Sequence, residues 1–182
     1  MADSSSSRLP APPEPPGDPA LRELFDAIRV RGGKLLNLHL AVAHSPKIAA
    51  AFISMVHALR FDAVLPQRVR EFAILRVAQL TGSKYETAQH HSMAIDCGIS
   101  AAQIDGLAHW RESDRYDDKE RTVLAYVECV TNGGNVDEVT FAALAACFDA
   151  REIVELTLTI SFYVATALLL KALEVKVEDE RA

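Results

Sequence analysis

The sequence has few of the residues that cross-link a chain or interrupt its helices. Its 182 residues include only three cysteines, Cys97, Cys129 and Cys147, and only two prolines after Pro19. Three widely spaced cysteines match neither a disulfide framework nor a zinc-binding pattern, and they indicate reduced thiols in a cytoplasmic protein. No segment alternates polar and apolar residues with a period of two, so the sequence predicts essentially no β-sheet.

An excess of positive charge is also lacking. Lysine and arginine number 19 against 25 aspartates and glutamates, for a net charge of −6. Nucleic acids and anionic membranes are bound through basic surfaces, so this balance argues against both as partners. Residues 156–170 form the longest apolar stretch, which reaches about 22 Å as a helix and falls short of the ~30 Å bilayer core. The stretch therefore predicts a buried helix, and the N-terminus shows no secretory signal pattern.

The rest of the sequence has the pattern of a helical globular protein. Apolar residues make up 49% of the chain, which is typical of a globular protein. Residues 1–17 contain five of the eight prolines and predict a flexible Ser/Pro-rich arm, whereas residues 18–182 predict a single all-α domain. The expected helix starts are Asp18, Pro46 and Pro66, followed by the capping pairs Ser100/Gln103 and Asp117/Glu120.

On the helix expected to begin at Pro46, one apolar stripe is predicted to face the core. Its members are Ile48, Phe52, Met55, Val56 and Leu59.

Residues 71–94 combine the side chains that can carry chemistry. Glu71 lies on one predicted helix, Gly82 marks a turn, and Ser83, Glu86 and His90 follow at i, i+3 and i+7 on one face of the next helix. A carboxylate beside an imidazole perturbs the pKa of both groups, and such pairs are typical of acid–base catalysis. The same spacing is also typical of a solvated ion pair, so both interpretations stay open here. The neighbouring His90 and His91 point about 100° apart on a helix, which argues against a shared metal ion.

The order Glu71, Gly82, Tyr85-Glu86, His90 resembles the carboxymuconolactone decarboxylase family, which also contains the alkylhydroperoxidase D proteins. The similarity extends over about residues 20–175. It implies a bundle of antiparallel helices of the alkylhydroperoxidase D type. It further implies a homo-oligomer (dimer, trimer or hexamer) with its site near a subunit interface.

The two chemical branches of this family differ at two positions of the motif. The peroxidase branch has a Cys-x-x-Cys pair ending four residues before the histidine, and this chain has Ser83 and Glu86 there. A hydroxyl and a carboxylate cannot form a disulfide or a sulfenic acid. The resemblance to the decarboxylase branch is better. It implies cofactor-free and metal-free loss of CO₂, or a related proton transfer, on a small lactone or carboxylic acid.

The resemblance also implies roles for individual residues. His90 is expected to deliver the proton, and Glu71 to orient and charge it. Glu86 assists in the same way or as a second acid, and Tyr85 either donates a hydrogen bond to the substrate carbonyl or belongs to the core. The candidate substrate-binding residues are Arg76, Ser83 and His91, and Arg76 has the alternative role of a structural ion-pair partner. Two alternatives remain, a peroxiredoxin-like antioxidant protein using Cys97 and a non-catalytic helical oligomer.

Overall fold

The computed structural model describes residues 6–12, 16–30 and 33–178. Within these ranges the chain forms nine α-helices and no strand, which confirms the all-α prediction. A π-helical turn, Ala58–Asp62, and a 3₁₀ helix, Leu107–Glu112, complete the helical segments. The α-helices are α1 Pro19–Val30, α2 Asn37–Val42, α3 Pro46–His57, α4 Gln67–Thr81, α5 Lys84–Asp96, α6 Ala101–Gly106, α7 Asp118–Thr131, α8 Glu138–Cys147 and α9 Ala150–Ala172.

The predicted helix starts are present in the structure. Asp18 accepts a hydrogen bond from the Leu21 amide at 3.0 Å at the start of α1. Ser100 with Gln103, and Asp117 with Glu120, form reciprocal capping boxes at α6 and α7, satisfying amides that have no intrahelical partner.

The backbone divides into two compact units. The first unit comprises the described residues of 1–61 and 169–182, and the second comprises residues 62–168. The division at residue 61 falls inside the segment predicted as one domain, and every predicted site residue lies in the second unit. Residues 1–5 and 13–15 of the predicted arm lie outside the described residues. Within the first unit, the Arg8 amide donates to the Leu173 carbonyl at 2.8 Å, and the Lys176 amide donates to the Ser6 carbonyl at 2.9 Å.

Helix α4 is the central element of the second unit. Every residue from Arg70 to Ala78 is buried, because α4 packs on more than one side. One apolar cluster joins α4 to α7, α8 and α9, and includes Ile74, Val127 and Ile160. A second joins α4 to α5, the 3₁₀ helix and α7, and includes Phe72 and Ala94. Because α4 is surrounded, its buried polar side chains form their hydrogen bonds with other protein groups and not with water.

The predicted inward stripe of α3 is wrong in part. Ile48 is 68% exposed and Met55 is 41% exposed, whereas Ala49 and Ile53 are buried. Helix α3 is apolar around much of its circumference, so its periodicity did not determine which side is covered within one chain.

Helix α9 is long and apolar enough to cross a membrane by length and composition alone. Its 23 residues reach about 34 Å, so the length argument made for residues 156–170 does not apply to the whole helix. A core helix passes the same test. Leu156, Ile160 and Tyr163 are buried in the cluster shared with α4 and α7, and this burial supports the interpretation of a core helix.

A buried ion-pair network ties α4 to the 3₁₀ helix and α7. The Arg76 guanidinium bonds Glu128 and donates to the Leu107 carbonyl at 3.0 Å, and Glu128 also accepts from Trp110 Nε1 at 2.8 Å and Arg111 at 2.5 Å. Burial alone raises the pKa of Glu128, but the hydrogen bonds from Arg111, Trp110 and Arg76 outweigh it and lower the pKa to about 2. The ionised carboxylate is therefore a stabilising partner of α4.

The substitution Glu128→Gln should remove part of the acid sensitivity of the fold. A carboxyl with a lowered folded-state pKa stabilises the fold above its unfolded pKa, and this contribution is lost as the pH falls from about 5 towards 2. We expect Glu128→Gln to lower the free energy of unfolding at pH 7 by on the order of 2 kcal/mol. Between pH 7 and pH 3 the variant should lose less of its free energy of unfolding than wild type does. Urea unfolding at pH 7, 5 and 3 measures both.

The matched control is Glu174→Gln, because the Arg8–Glu174 pair is 61% and 62% exposed and should contribute little. A Glu128→Gln variant with the same pH dependence as wild type contradicts this assignment.

Candidate active site

Helices α4 and α5 meet at a turn that brings their polar side chains together. Gly82 ends α4 in the left-handed region at φ 68°, which glycine adopts without steric cost, and the Ser83 amide donates to the Ala78 carbonyl at 2.8 Å. Ser83 is the N-cap of α5, and its hydroxyl accepts from the Glu86 amide at 3.3 Å. This short connection lets α5 pack back along α4.

Three of the predicted site residues converge there. His90 Nδ1 lies 2.8 Å from Glu71 Oε2, across the two helices. His90 Nε2 lies 3.4 Å from Glu86 Oε2, one turn away on α5. The three side chains are only 4 to 5% exposed. We call them the Glu–His–Glu cluster.

This geometry is satisfied when one proton lies between His90 Nε2 and the Glu86 carboxyl group. A neutral imidazole carries one N–H, yet both ring nitrogens of His90 face a carboxyl oxygen. Both contacts are favourable when His90 is an imidazolium, or when Glu86 is a carboxylic acid that donates to Nε2. The two states contain the same number of protons and differ only in where one proton sits. A buried cluster of this kind can give up and recover a proton.

An aromatic side chain that the sequence reasoning did not select also contacts the cluster. The Tyr163 ring, from α9, packs against the His90 ring with 5.0 Å between centroids and an interplanar angle of 85°. Tyr163 is 5% exposed. The apolar stripe of α9 includes Tyr163, three residues after Ile160. Such a stripe predicts that Tyr163 is buried, but it does not predict that the ring contacts His90.

The other candidate residues lie in different settings. Tyr85 is buried on α5, one residue before Glu86, and Ser83 caps the helix. His91 is exposed. Arg76 is bound within the Glu128 network, so its guanidinium is committed to structural partners. The structure thus joins Glu71, Glu86 and His90, and it does not bring Arg76 or His91 to them. Among the described residues, no group of three or more His, Cys, Asp or Glu side chains is arranged to hold a metal ion.

The thiol that follows α5 is poorly suited to nucleophilic chemistry. Cys97 follows α5, and its Sγ donates to the Ala94 carbonyl at 3.2 Å. Burial raises the pKa of the Cys97 thiol, and the charge of Glu71 raises it further, against a smaller opposing effect of Arg68. The reactive species is the thiolate, so a raised pKa lowers reactivity at neutral pH.

Comparisons with known proteins place this fold and motif in context. The carboxymuconolactone decarboxylase family model matches residues 46–128, which confirms the resemblance drawn from the motif, over a shorter range than residues 20–175. No curated protein matches the chain.

Solved structures show the same fold. The alkylhydroperoxidase D core of a peroxidase-related protein from Ralstonia eutropha JMP134 is 20% identical and has a TM-score of 0.83, covering 96% of this chain and 93% of that one. A peroxidase-related protein from Silicibacter sp. TM1040 is 18% identical, with a TM-score of 0.82 and coverage of 99% and 96%. The debrominase Bmp8, solved with 2,3,4-tribromopyrrole, is 19% identical, with a TM-score of 0.74 and coverage of 92% and 90%. The predicted alkylhydroperoxidase D-type bundle is confirmed.

Cys97 should be alkylated slowly. Because its pKa is raised, the thiolate fraction at pH 8 is lower than that of an ordinary cysteine, and we expect iodoacetamide to react at least ~3-fold more slowly than with a free cysteine. Peptide-resolved mass spectrometry of a timed reaction measures the rate. The same peptide in the urea-unfolded chain is the control, and equal folded and unfolded rates speak against a protected thiol.

Proposed function

We propose that the protein is an acid–base enzyme that works without a cofactor on a small lactone or enolisable carboxylic acid. The observation that supports this most directly is the buried imidazole of His90, held at 2.8 Å from Glu71 and 3.4 Å from Glu86. Two ionisable partners on one imidazole suit a reaction whose central event is the delivery of one proton. The family match favours an enzyme of the carboxymuconolactone decarboxylase type.

Each member of the cluster has a separate task in this proposal. Glu71 accepts from Nδ1, which fixes the orientation of the ring. The proton shared by His90 Nε2 and Glu86 is the one that is transferred. In a decarboxylation, the bond to the carboxylate breaks and its electron pair moves into the lactone carbonyl as CO₂ leaves. The resulting dienolate takes the proton at carbon, and the cluster regains a proton from water.

The predicted role of Arg76 is not carried into this mechanism. Its guanidinium already binds Glu128 and the Leu107 carbonyl, and Arg76 is 7% exposed. Moving it to a substrate carboxylate breaks a buried ion pair, which is strongly unfavourable. Tyr85 and Ser83 are better candidates than Arg76 for contact with the substrate, because both lie at the start of α5 with Glu86.

The alternative peroxiredoxin-like function is less well supported. It is favoured by the peroxidase-related structural neighbours, which share the fold at 18 to 20% identity. It is disfavoured by Ser83 and Glu86 at the cysteine positions of that branch and by the raised pKa of Cys97. A Cys97→Ser variant should consume peroxide no more slowly than wild type.

Glutamine substitutions in the cluster should remove activity without removing the fold. We expect His90→Gln, and to a lesser degree Glu71→Gln and Glu86→Gln, to lower kcat by about 10² to 10⁴, the range typical of general acid–base groups. Absorbance assays on carboxymuconolactone, simpler lactones and β-keto acids measure the rates. His91→Gln is the matched control, because His91 is adjacent in sequence but exposed. Equal rates for His90→Gln and His91→Gln defeat the proposal.

We also propose that the chain self-associates through the outward face of α9. Val154, Leu158 and Leu168 are 56%, 44% and 58% exposed. With the small, exposed Ser161 and Ala165 they form a 4-3-4-3 stripe, the spacing at which two helices pack as a coiled coil. Antiparallel pairing centred near Ser161 sets Leu158 of each copy against Ala165 of the other and Val154 against Leu168, so the small residues let the two helices approach at the centre.

Leu158→Asp should therefore lower the molar mass in solution. A buried carboxylate in the helix pair is costly, whereas on a free surface it is tolerated. Multi-angle light scattering over a concentration series measures the mass, and Val30→Asp, at an isolated 86% exposed position, is the control. A monomeric wild-type chain contradicts the self-association surface. So does a wild-type chain that floats with phosphatidylcholine vesicles when Leu158→Asp does not, because the face then binds lipid.

A further inference from the structure

The geometry points to Tyr163 as a positioning residue that fixes the plane of the His90 imidazole. Its ring lies at 85° to the imidazole with 5.0 Å between centroids, within the range of favourable edge-to-face aromatic pairs. It comes from α9, whereas the two carboxylates come from α4 and α5. The imidazole thus has a neighbour from each of three helices. The importance of this alignment for catalysis rests on the proposed function, but the alignment itself does not.

A histidine needs such a neighbour because the rotation of its ring is weakly restricted. The χ2 torsion of histidine is broad and roughly two-fold, so the side chain alone does not decide which nitrogen faces which partner. A half-turn of the His90 ring about its Cβ–Cγ bond places Cδ2 where Nδ1 was and Cε1 where Nε2 was. The 2.8 Å contact to Glu71 and the 3.4 Å contact to Glu86 then cannot both be kept in their present form. A flat side chain packed at a right angle to the imidazole obstructs that rotation.

Tyr163 is itself held firmly enough to act in this way. It is 5% exposed and belongs to the apolar cluster that contains Ile74 and Val77 of α4. The Phe162 ring lies against it, with 6.0 Å between centroids and an angle of 74°. Ile74 follows Glu71 by one turn on α4. The tyrosine therefore belongs to the same apolar cluster as the stretch of α4 that follows Glu71.

The test follows the proton between His90 Nδ1 and Glu71 and requires no substrate. In ¹⁵N-histidine-labelled full-length protein, this hydrogen-bonded proton should give a slowly exchanging resonance that is missing in Glu71→Gln. We expect Tyr163→Leu and Tyr163→Met, which remove the ring but keep an apolar side chain, to increase its exchange with water by ~10-fold or more. Tyr163→Phe, which keeps the ring, should preserve the resonance.

Tyr126→Leu separates positioning from general loss of packing. Tyr126 is 4% exposed in the same cluster, and its hydroxyl lies 2.7 Å from Thr157 Oγ1, so its removal destabilises that core in a comparable way. We expect this variant to keep the slow exchange of the His90 proton. Urea unfolding of all variants shows which of them are folded, and Tyr163→Met provides the test if Tyr163→Leu is not.

Two outcomes overturn the inference. One is unchanged exchange in both folded Tyr163 variants, and the other is an equal acceleration in Tyr126→Leu. Neither outcome bears on whether His90 transfers a proton, which the kinetics of His90→Gln decide. Conversely, the exchange measurement remains interpretable if wild type turns over none of the substrates tested.

Discussion

The hydrogen bond between the His90 imidazole and the Glu71 carboxylate is the interaction on which the geometry of the candidate site depends. Both groups are 5% exposed, and an ionisable group so far from water is tolerated only with a partner in good geometry. The bond spans α4 and α5, so it requires the tight turn at Gly82 and Ser83. It also requires neighbours that exclude water and hold the ring, which α9 provides through Tyr163. The fold is thereby constrained at the place where chemistry is proposed.

Helix α4 shows how the fold accommodates several charged groups in one interior. Glu71 is bound by His90, Arg76 by Glu128, and the Arg70 guanidinium by the Leu65 carbonyl. The arginine contacts are structural, because their partners belong to the framework formed by α7 and the segment before α4. The Glu71 contact differs, because its partner His90 can change protonation state and touches a second carboxyl group. This difference, and not burial or charge alone, distinguishes a candidate site from a structural ion pair.

The sequence was sufficient to predict those features that depend on short spacing. Helix caps, the Gly82 turn and the meeting of Glu71, Glu86 and His90 all follow from residues less than 20 positions apart. It was insufficient where a helix has more than one apolar face, as in α3, because exposed Ile48 and buried Ile53 look alike to a periodicity argument. It also missed Tyr163, whose neighbour is 73 positions away (163 minus 90). It left open whether Arg76 binds substrate or an ion-pair partner, because Glu128 lies 52 positions away (128 minus 76).

The shared fold does not by itself transfer the chemistry of its relatives. The solved neighbours are 18 to 20% identical, a level that establishes architecture but not mechanism. At the position where the peroxidase branch of the resembled family has a thiol, His90 here faces the carboxyl group of Glu86. An imidazole beside a thiol generates a nucleophile, whereas an imidazole beside a carboxyl group can only exchange a proton with it. In the proposed function, Ser83 and Glu86 in place of the two thiols therefore replace sulfur chemistry by proton transfer on the same helical frame.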